Sequence, residues 1–200
     1  MSDTLIVGAD SGIGAALLAK IPNSVGTSRR ADSTHLHLDV ESSPSWPTIT
    51  SQFTDVYYCI AVNGLASLPS DVMNINATKS YQCLEYIAPY VKDGGTIRVL
   101  TSIMGSLTRG FILPGAEANV YYRMSKAALN IAVVELSKQY PNINWQLVHP
   151  GFVKTKFVKH LTYIEEAMDT DVAADKILAI PKIPGVSYVE IDTTGTRLVI

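Results

Sequence analysis

The chain has 200 residues, 47% of them hydrophobic, with a formal net charge of −2. That length suits one domain with a substantial core. A near-neutral chain without a basic block or a long apolar run argues against nucleic-acid partners and membrane spans.

The first element is Leu5-Ile6-Val7 in "TLIVGADSGIGAALLAKI", read as a short buried strand. Glycines follow at Gly8, Gly12 and Gly14, and Ile13, Leu17, Leu18 and Ile21 then fall on one helical face. A strand, a glycine turn and a helix N-terminus form an anion site, because free N–H groups and the helix dipole point outward together. The spacing is Gly8-x-x-x-Gly12-x-Gly14, and without Gly-Lys-Ser/Thr it is not a Walker loop. Asp10, Ser11 and Ile13 complete the loop that would cradle a dinucleotide pyrophosphate.

Next come the strand "SVGTS", the arginines Arg29 and Arg30, and the alternating run "THLHLDV". His35, His37 and Asp39 share one face of that run, but no further ligand is evident, so no metal is expected. "ESSPSWPTITSQF" reads as a shortened connection, and "VYYCIAV" as a buried strand holding Cys59. A helix over "NATKSYQCLEYIAPYV" carries Cys83, puts Ala77, Tyr81, Leu84, Ala88 and Val91 on one face, and stops at Gly94-Gly95. "TIRVLTS" is a strand ending at Ser102, and "YRMSKAALNIAVVELSKQY" a helix with Ala128, Ile131, Ala132 and Leu136 on one face. "INWQLVHP" and "SYVEID" are the last strands. The alternation predicts an α/β fold, a doubly wound parallel sheet in a single domain spanning 1–200, with its ligand outside the carboxyl ends of the strands. Two cysteines placed in core elements and a start without a basic-then-apolar leader lead us to expect a cytoplasmic protein.

Tyr122 and Lys126, four residues apart, lie one above the other on a helix. A lysine ammonium beside a phenol favours phenolate, which lowers the tyrosine pKa from about 10 and suits it to proton transfer. With ten tyrosines and ten lysines, about half a Tyr-x-x-x-Lys match is expected by chance, and this is the one match present. Tyr121 is followed four residues on by Ser125, which carries no charge. Ser102, at a strand's carboxyl end, can donate to a developing alkoxide, with Thr101 and Ser106 as rivals by proximity.

Taken in order, Gly8-x-x-x-Gly12-Ile13-Gly14, Ser102 three before Gly105, Tyr122-x-x-x-Lys126 and "HPGFVKT" resemble the short-chain dehydrogenase/reductase family over nearly the whole chain. "SIMGSLTRG…YYRMSKAALN" resembles its small carbonyl-reductase-like branch of sniffer and C-factor type. The resemblance implies a Rossmann fold, an NAD(P)-linked oxidoreductase, and Ser102, Tyr122 and Lys126 as catalytic residues. Asn76 matches the helix asparagine whose kinked backbone holds a water in the proton relay, and Lys126 would also bind the nicotinamide ribose. Asp39 and Val40 match the adenine-side positions. Ala61 to Gly64, "AVNG", stands in place of Asn-Asn-Ala-Gly and departs from it, so Ala61, Asn63 and Gly64 would line the ribose chiefly through backbone. Pro150, Gly151, Val153 and Thr155 match the loop over the nicotinamide. The Ser102-to-Tyr122 gap is longer than usual, which places a small insertion around "TRGFILPGAEAN" at the pocket rim.

Arg29 and Arg30 stand where an NAD-specific protein places an acid, so NADP(H) is expected over NAD(H), with Asp10 as an electrostatic counterweight. Lys154, Lys156, Lys159 and His160 read as a solvated basic face, and Phe157, Leu161, Ile164 and Met168 as a short lid. The expected reaction is hydride exchange between nicotinamide and a small-molecule carbonyl or alcohol. The rival is an NADP-binding regulator or scaffold without turnover. A sugar-nucleotide epimerase is disfavoured by the short tail after Pro150-Gly151. A homodimer is expected through the helices of Asn76 and Tyr122, with Tyr86, Ala88 and Tyr90 offered outward.

Overall fold

The apolar run after Asp3 forms β1 (Thr4–Val7), which pairs in parallel with β2 (Ser24–Ser28) on one side and β4 (Phe53–Tyr58) on the other. The structure, a computed structural model, describes residues 3–43, 46–63, 67–107, 119–158, 164–191 and 196–199, the last four by backbone alone. With β3 (Leu36–His37), β5 (Val91–Leu100), β6 (Asn144–His149), β7 (Val186–Ile191) and β8 (Thr196–Val199), the sheet order is β3-β2-β1-β4-β5-β6-β7-β8. The first seven strands run parallel, and β8 closes the edge antiparallel to β7.

Strand alternation divides the core between two faces. Leu5, Val7, Val56 and Tyr58 face one side, where Leu84 and Ile87 of α3 (Ser80–Ile87) and Leu129, Val133 and Leu136 of α4 (Val120–Gln139) cover them. Ile6 and Tyr57 face the other side, against Leu17 of α1 (Gly12–Lys20) and Ala174 and Ile177 of α5 (Thr170–Leu178). Each fully buried side chain of leucine size contributes roughly 1.5–3 kcal/mol. The expected Rossmann-type, doubly wound α/β architecture is therefore the observed one.

Several elements depart from the pattern read in the sequence. "THLHLDV" shrinks to a two-residue strand at the sheet edge, and His37 Nε2 lies 3.2 Å from the Arg29 carbonyl. β4 starts at Phe53 and ends at Tyr58, so Cys59 lies just beyond the strand, its N–H on the Val7 carbonyl. The helix expected over 76–91 starts earlier and is broken: α2 (Pro69–Met73), which lies before the expected start, runs into a π-helical turn (Asn74–Lys79) and then α3. Pro89 lies in the 3-10 turn Ala88–Tyr90, and β5 begins at Val91. Gly94 and Gly95 are thus not a helix stop. They form a bulge in β5 opposite Phe53 and Asp55, with Gly94 at φ 73. β8 was not anticipated, because four residues carry too short a periodic signal.

Tyr86, Ala88 and Tyr90 are not offered outward as expected. Ala88 is 1% exposed, Tyr86 donates to the Pro47 carbonyl at 2.7 Å, and its ring packs between Trp46 and Tyr90. The connection after β3 folds back onto α3 and uses them, with Trp46 Nε1 donating to the Asp39 carbonyl at 2.7 Å. The exposed apolar stripe lies instead on α4, at Val120, Met124 and Ile131.

Candidate active site

The glycine loop is shaped by contacts that only glycine allows. A Cβ on Gly14 would lie 2.1 Å from the Gly8 carbonyl oxygen, so the helix can begin here only against a bare backbone. Gly8, at φ 86, has its N–H on Thr27 Oγ1 at 3.1 Å. The Ser11 side chain makes no capping hydrogen bond, which leaves the first N–H groups of α1 open. Thr155 comes from the far end of the chain, and its Cγ2 would lie 3.3 Å from a Cβ on Gly12. A cleft of about 620 Å³ bordered by Ser11, Gly12, Thr155 and Thr170 opens beside the loop. Neither Ser102 nor Tyr122 lines it, so convergence of side chains locates the candidate chemistry.

Asp10 and Arg30 face each other behind the loop at 3.3 Å, and Ser28 Oγ donates to Asp10 while accepting from the Arg30 N–H. Arg29 and Arg30 are both exposed at the end of β2. Asp39 and Val40 follow β3, the first half-buried and the second buried. A Cβ placed on Gly8 would meet Ile60 Cγ1 at 3.0 Å and the Cys59–Ile60 backbone at 3.5 Å. That lies earlier than the expected Ala61–Gly64 stretch, of which Ala61 and Asn63 are half-buried and Gly64 falls outside the described residues.

Ser102, Tyr122, Lys126 and Asn76 are all buried beyond the carboxyl ends of β4 and β5. Ser102 caps the 3-10 turn Ile103–Gly105, its Oγ accepting from the Met104 N–H at 3.2 Å, and its hydroxyl also hydrogen-bonds Tyr122. Gly105 lets this turn close on α4: a Cβ there would be 2.8 Å from the Lys126 carbonyl carbon. Thr101, a rival to Ser102, is committed to Asn130 at 2.5 Å, and Ser106 is the residue that ends the turn. Lys126 Nζ donates to the Leu100 carbonyl at 3.0 Å and sits 5.9 Å from the Tyr122 ring centroid.

The electrostatics differ from the expectation drawn from spacing. Burial pushes the Tyr122 phenol up to about 12, the Ser102 hydrogen bond opposing it, and burial pulls the Lys126 ammonium down to about 8. Proximity to lysine does not make Tyr122 a phenolate here, because both groups lose water together. At neutral pH the phenol keeps its proton.

Asn76 lies in the π-helical turn, a geometry that often marks functional segments. Its carboxamide brackets Val62, accepting from the N–H at 2.8 Å and donating to the carbonyl at 2.9 Å. Asn76 Nδ2 also donates to Ser125 Oγ at 3.1 Å, and Ser125 donates to the Tyr122 carbonyl at 2.8 Å. Ser125 was missed as a site residue. Its signal was a small polar residue on the buried face of the tyrosine helix.

Gly151 (φ 81) leads the loop after β6 across Met168 and Ile191, where a Cβ would come within 2.5 Å of Met168 Cε. Val153 bridges Met168, and Lys154 N–H donates to the Met168 carbonyl at 2.8 Å. Phe157 packs on Tyr122 with ring centroids 5.4 Å apart. Pro150 is half-buried at the start of this loop. Lys159, His160, Leu161 and the insertion at 108–118 lie outside the described residues, and no group of three metal-ligating side chains occurs among those described.

Neither a family model nor the sequence of a curated protein matches the chain. Solved structures do. NADPH-bound carbonyl reductase from chicken fatty liver is 17% identical, with a TM-score of 0.79 over 95% of this chain and 96% of that one. Carbonyl reductase Sniffer of D. melanogaster is 20% identical, with a TM-score of 0.76 over 95% and 96%. A 3-alpha-hydroxysteroid dehydrogenase from Pseudomonas sp., complexed with NADH, is 18% identical, with a TM-score of 0.73 over 94% of each. The chain has the Rossmann-type fold of the short-chain dehydrogenase/reductases.

Lys126 gives a stability prediction with a defined sign. Folding lowers its pKa from 10.5 to about 8, so between those values the unfolded chain holds more protons and stability rises with pH. Lys126→Met removes a buried charge that costs roughly 3 kcal/mol at pH 7. Thermal unfolding at pH 7 should show the variant's midpoint raised by about 4 °C or more. The gain should shrink as pH passes 8 and vanish above 10.5. A variant less stable than the wild type at pH 7 would contradict this.

Proposed function

We propose that residues 1–200 form one NADP(H)-binding domain that reduces a small-molecule carbonyl, or oxidises the matching alcohol, in the cytoplasm. The observation that carries this reading is the burial of Ser102, Tyr122, Lys126 and Asn76 at one end of the sheet, near an uncapped helix N-terminus. The residues fit the dinucleotide. The loop from Gly8 through Asp10, Ser11, Gly12 and Ile13 to Gly14 would hold the pyrophosphate on open N–H groups. Arg29 and Arg30 would hold the 2′-phosphate, Asp39 and Val40 the adenine, and Ala61, Asn63 and Gly64 the adenosine ribose. Pro150, Gly151, Val153 and Thr155 would close over the nicotinamide. No helix among the described residues is long and apolar enough to cross a membrane.

When bound, the nicotinamide supplies or accepts the hydride. Ser102 orients the substrate oxygen. Tyr122, protonated at neutral pH, gives that oxygen its proton during reduction and is left as the phenolate, the form that would accept the alcohol proton in the reverse direction. The Lys126 ammonium donates one N–H to Leu100, which leaves its other donors for ribose hydroxyls. Asn76 fixes the backbone along which Tyr122 is reprotonated. Phe157 shields the phenol from water.

Two substitutions test the roles. Tyr122→Phe should keep cofactor binding and lower turnover at least about a hundredfold, whereas Tyr121→Phe, at an exposed ring, should keep most activity. If neither change affects turnover, a binding protein without catalysis is the better reading.

Cofactor choice rests on the arginines. Arg30 already shares its guanidinium with Asp10, so Arg29 carries more of the phosphate recognition. Fluorescence titration should find NADPH at least about tenfold tighter than NADH. Arg29→Asp should abolish that difference while leaving NADH binding within about threefold. Equal weakening of both would remove the phosphate-pairing role.

We also propose a homodimer, formed through α4 by the exposed stripe of Val120, Met124 and Ile131, which a second copy would cover around a two-fold axis. Sedimentation equilibrium at micromolar concentration should report twice the chain mass, and Ile131→Glu should return it to one. A chain-sized wild type would end the dimer proposal.

A further inference from the structure

Two buried hydroxyls outside the proton path meet the π-helical turn that carries Asn76. Ser80, the first residue of α3, is fully buried, and its Oγ donates to the Ile75 carbonyl at 2.7 Å. That carbonyl can only accept, so the single Ser80 proton is committed to it. The Tyr58 hydroxyl, 2.9 Å from Ser80 Oγ, must therefore be the donor of that pair. Tyr58 is the last residue of β4, and none of its surface is exposed. Burial holds its phenol well above the usual range, so it keeps the proton it donates.

The span of the Ser80 bond ties it to Asn76. In an α-helix a serine hydroxyl bends back to a carbonyl three or four residues before it. Here it reaches five residues back, which is the spacing of a π turn. Tightening to α register would slip the chain before Ser80 by one residue and rotate it about 100° against α3. Asn76 follows Ile75, and that rotation would carry its carboxamide away from Val62 and Ser125. One stretch of chain thus grips the helix on both sides of the turn, Tyr58 through Ser80 and Val62 through Asn76.

We propose that Tyr58 and Ser80 are positioning residues that fix the π register of Asn76 and, through Asn76 and Ser125, the backbone of Tyr122. The inference rests on the reductase reading above, in which Asn76 serves Tyr122. It extends that reading to two side chains that act only through Asn76.

Amide hydrogen exchange followed by NMR tests the positioning without a substrate. The Val62 N–H, held by Asn76 Oδ1, should exchange at least about tenfold faster in Asn76→Ala and in Ser80→Ala, while the Val99 N–H in β5 keeps its wild-type rate. Adding Ser80→Ala to Asn76→Ala should change the Val62 rate by less than about twofold, because both act on one clamp. Tyr58→Phe keeps the ring and should also speed Val62, and it carries the test if Ser80→Ala does not fold. In NADPH turnover with 4-nitrobenzaldehyde, Ser80→Ala should lower kcat at least about tenfold and leave the KM for NADPH within about threefold. A wild-type Val62 rate in these variants, equal acceleration of Val62 and Val99, or an unchanged kcat would overturn the positioning role and leave the reductase reading intact. A wild type that oxidises NADPH with no aldehyde or ketone would overturn the reductase reading, and with it any service to Tyr122, whatever Val62 shows.

Discussion

A lysine ammonium with 1% of its surface exposed lies where β5 ends against α4, and the surrounding structure is arranged to keep it there. Its Nζ donates to the last carbonyl of β5, so one bond joins the sheet to the tyrosine helix. Burying that charge weakens it, holding the ammonium down to about 8. Neighbouring choices follow from this contact. Gly105 must lack a side chain because the 3-10 turn presses on the Lys126 backbone, and that turn places Ser102 against Tyr122. A protein optimised for stability alone would put an aliphatic residue here. Retaining the charge is the kind of local cost expected at a working site.

Tyr122 is held from two sides by polar links that cross the chain. From below, Ser125 joins its backbone to Asn76, and Asn76 clamps Val62 in both directions. From above, Asn63, the neighbour of Val62, holds the carbonyl of Phe157, whose ring covers the phenol. The segment 62–63 is thus the common support for the floor and the cover of the site. Its burial accounts for a phenol that stays protonated, and a protonated phenol is what carbonyl reduction needs at neutral pH.

Much of this was legible in the sequence where chemistry depends on spacing. Gly14 stands where a backbone contact admits no side chain, Gly8 and Gly12 take positive φ, and the four-residue step from Tyr122 to Lys126 survives as a shared buried face. Spacing does not report solvation. The inference that lysine would acidify tyrosine failed because both groups are buried: desolvation dominates each shift, and neither group acts on the other's. Partners distant in sequence were equally hidden: Asn63 with Phe157, and Asn76 with Ser125, meet only through the fold. Tyr86 and Tyr90 looked outward on a helical wheel, yet Trp46 folds back across Tyr86. Arg98, 3% exposed on β5 between Asp55 and Tyr57, gave no signal in an otherwise apolar strand.

The most direct test of the central claim follows the hydride itself. NADPH carrying deuterium on one face of nicotinamide C4 would be incubated with the protein and a ketone, and the alcohol examined by mass spectrometry. A reductase predicts one deuterium on the carbinol carbon from one of the two labelled faces and none from the other. Cofactor that binds yet leaves the ketone unreduced, or an alcohol without label from either face, would contradict hydride transfer at Tyr122.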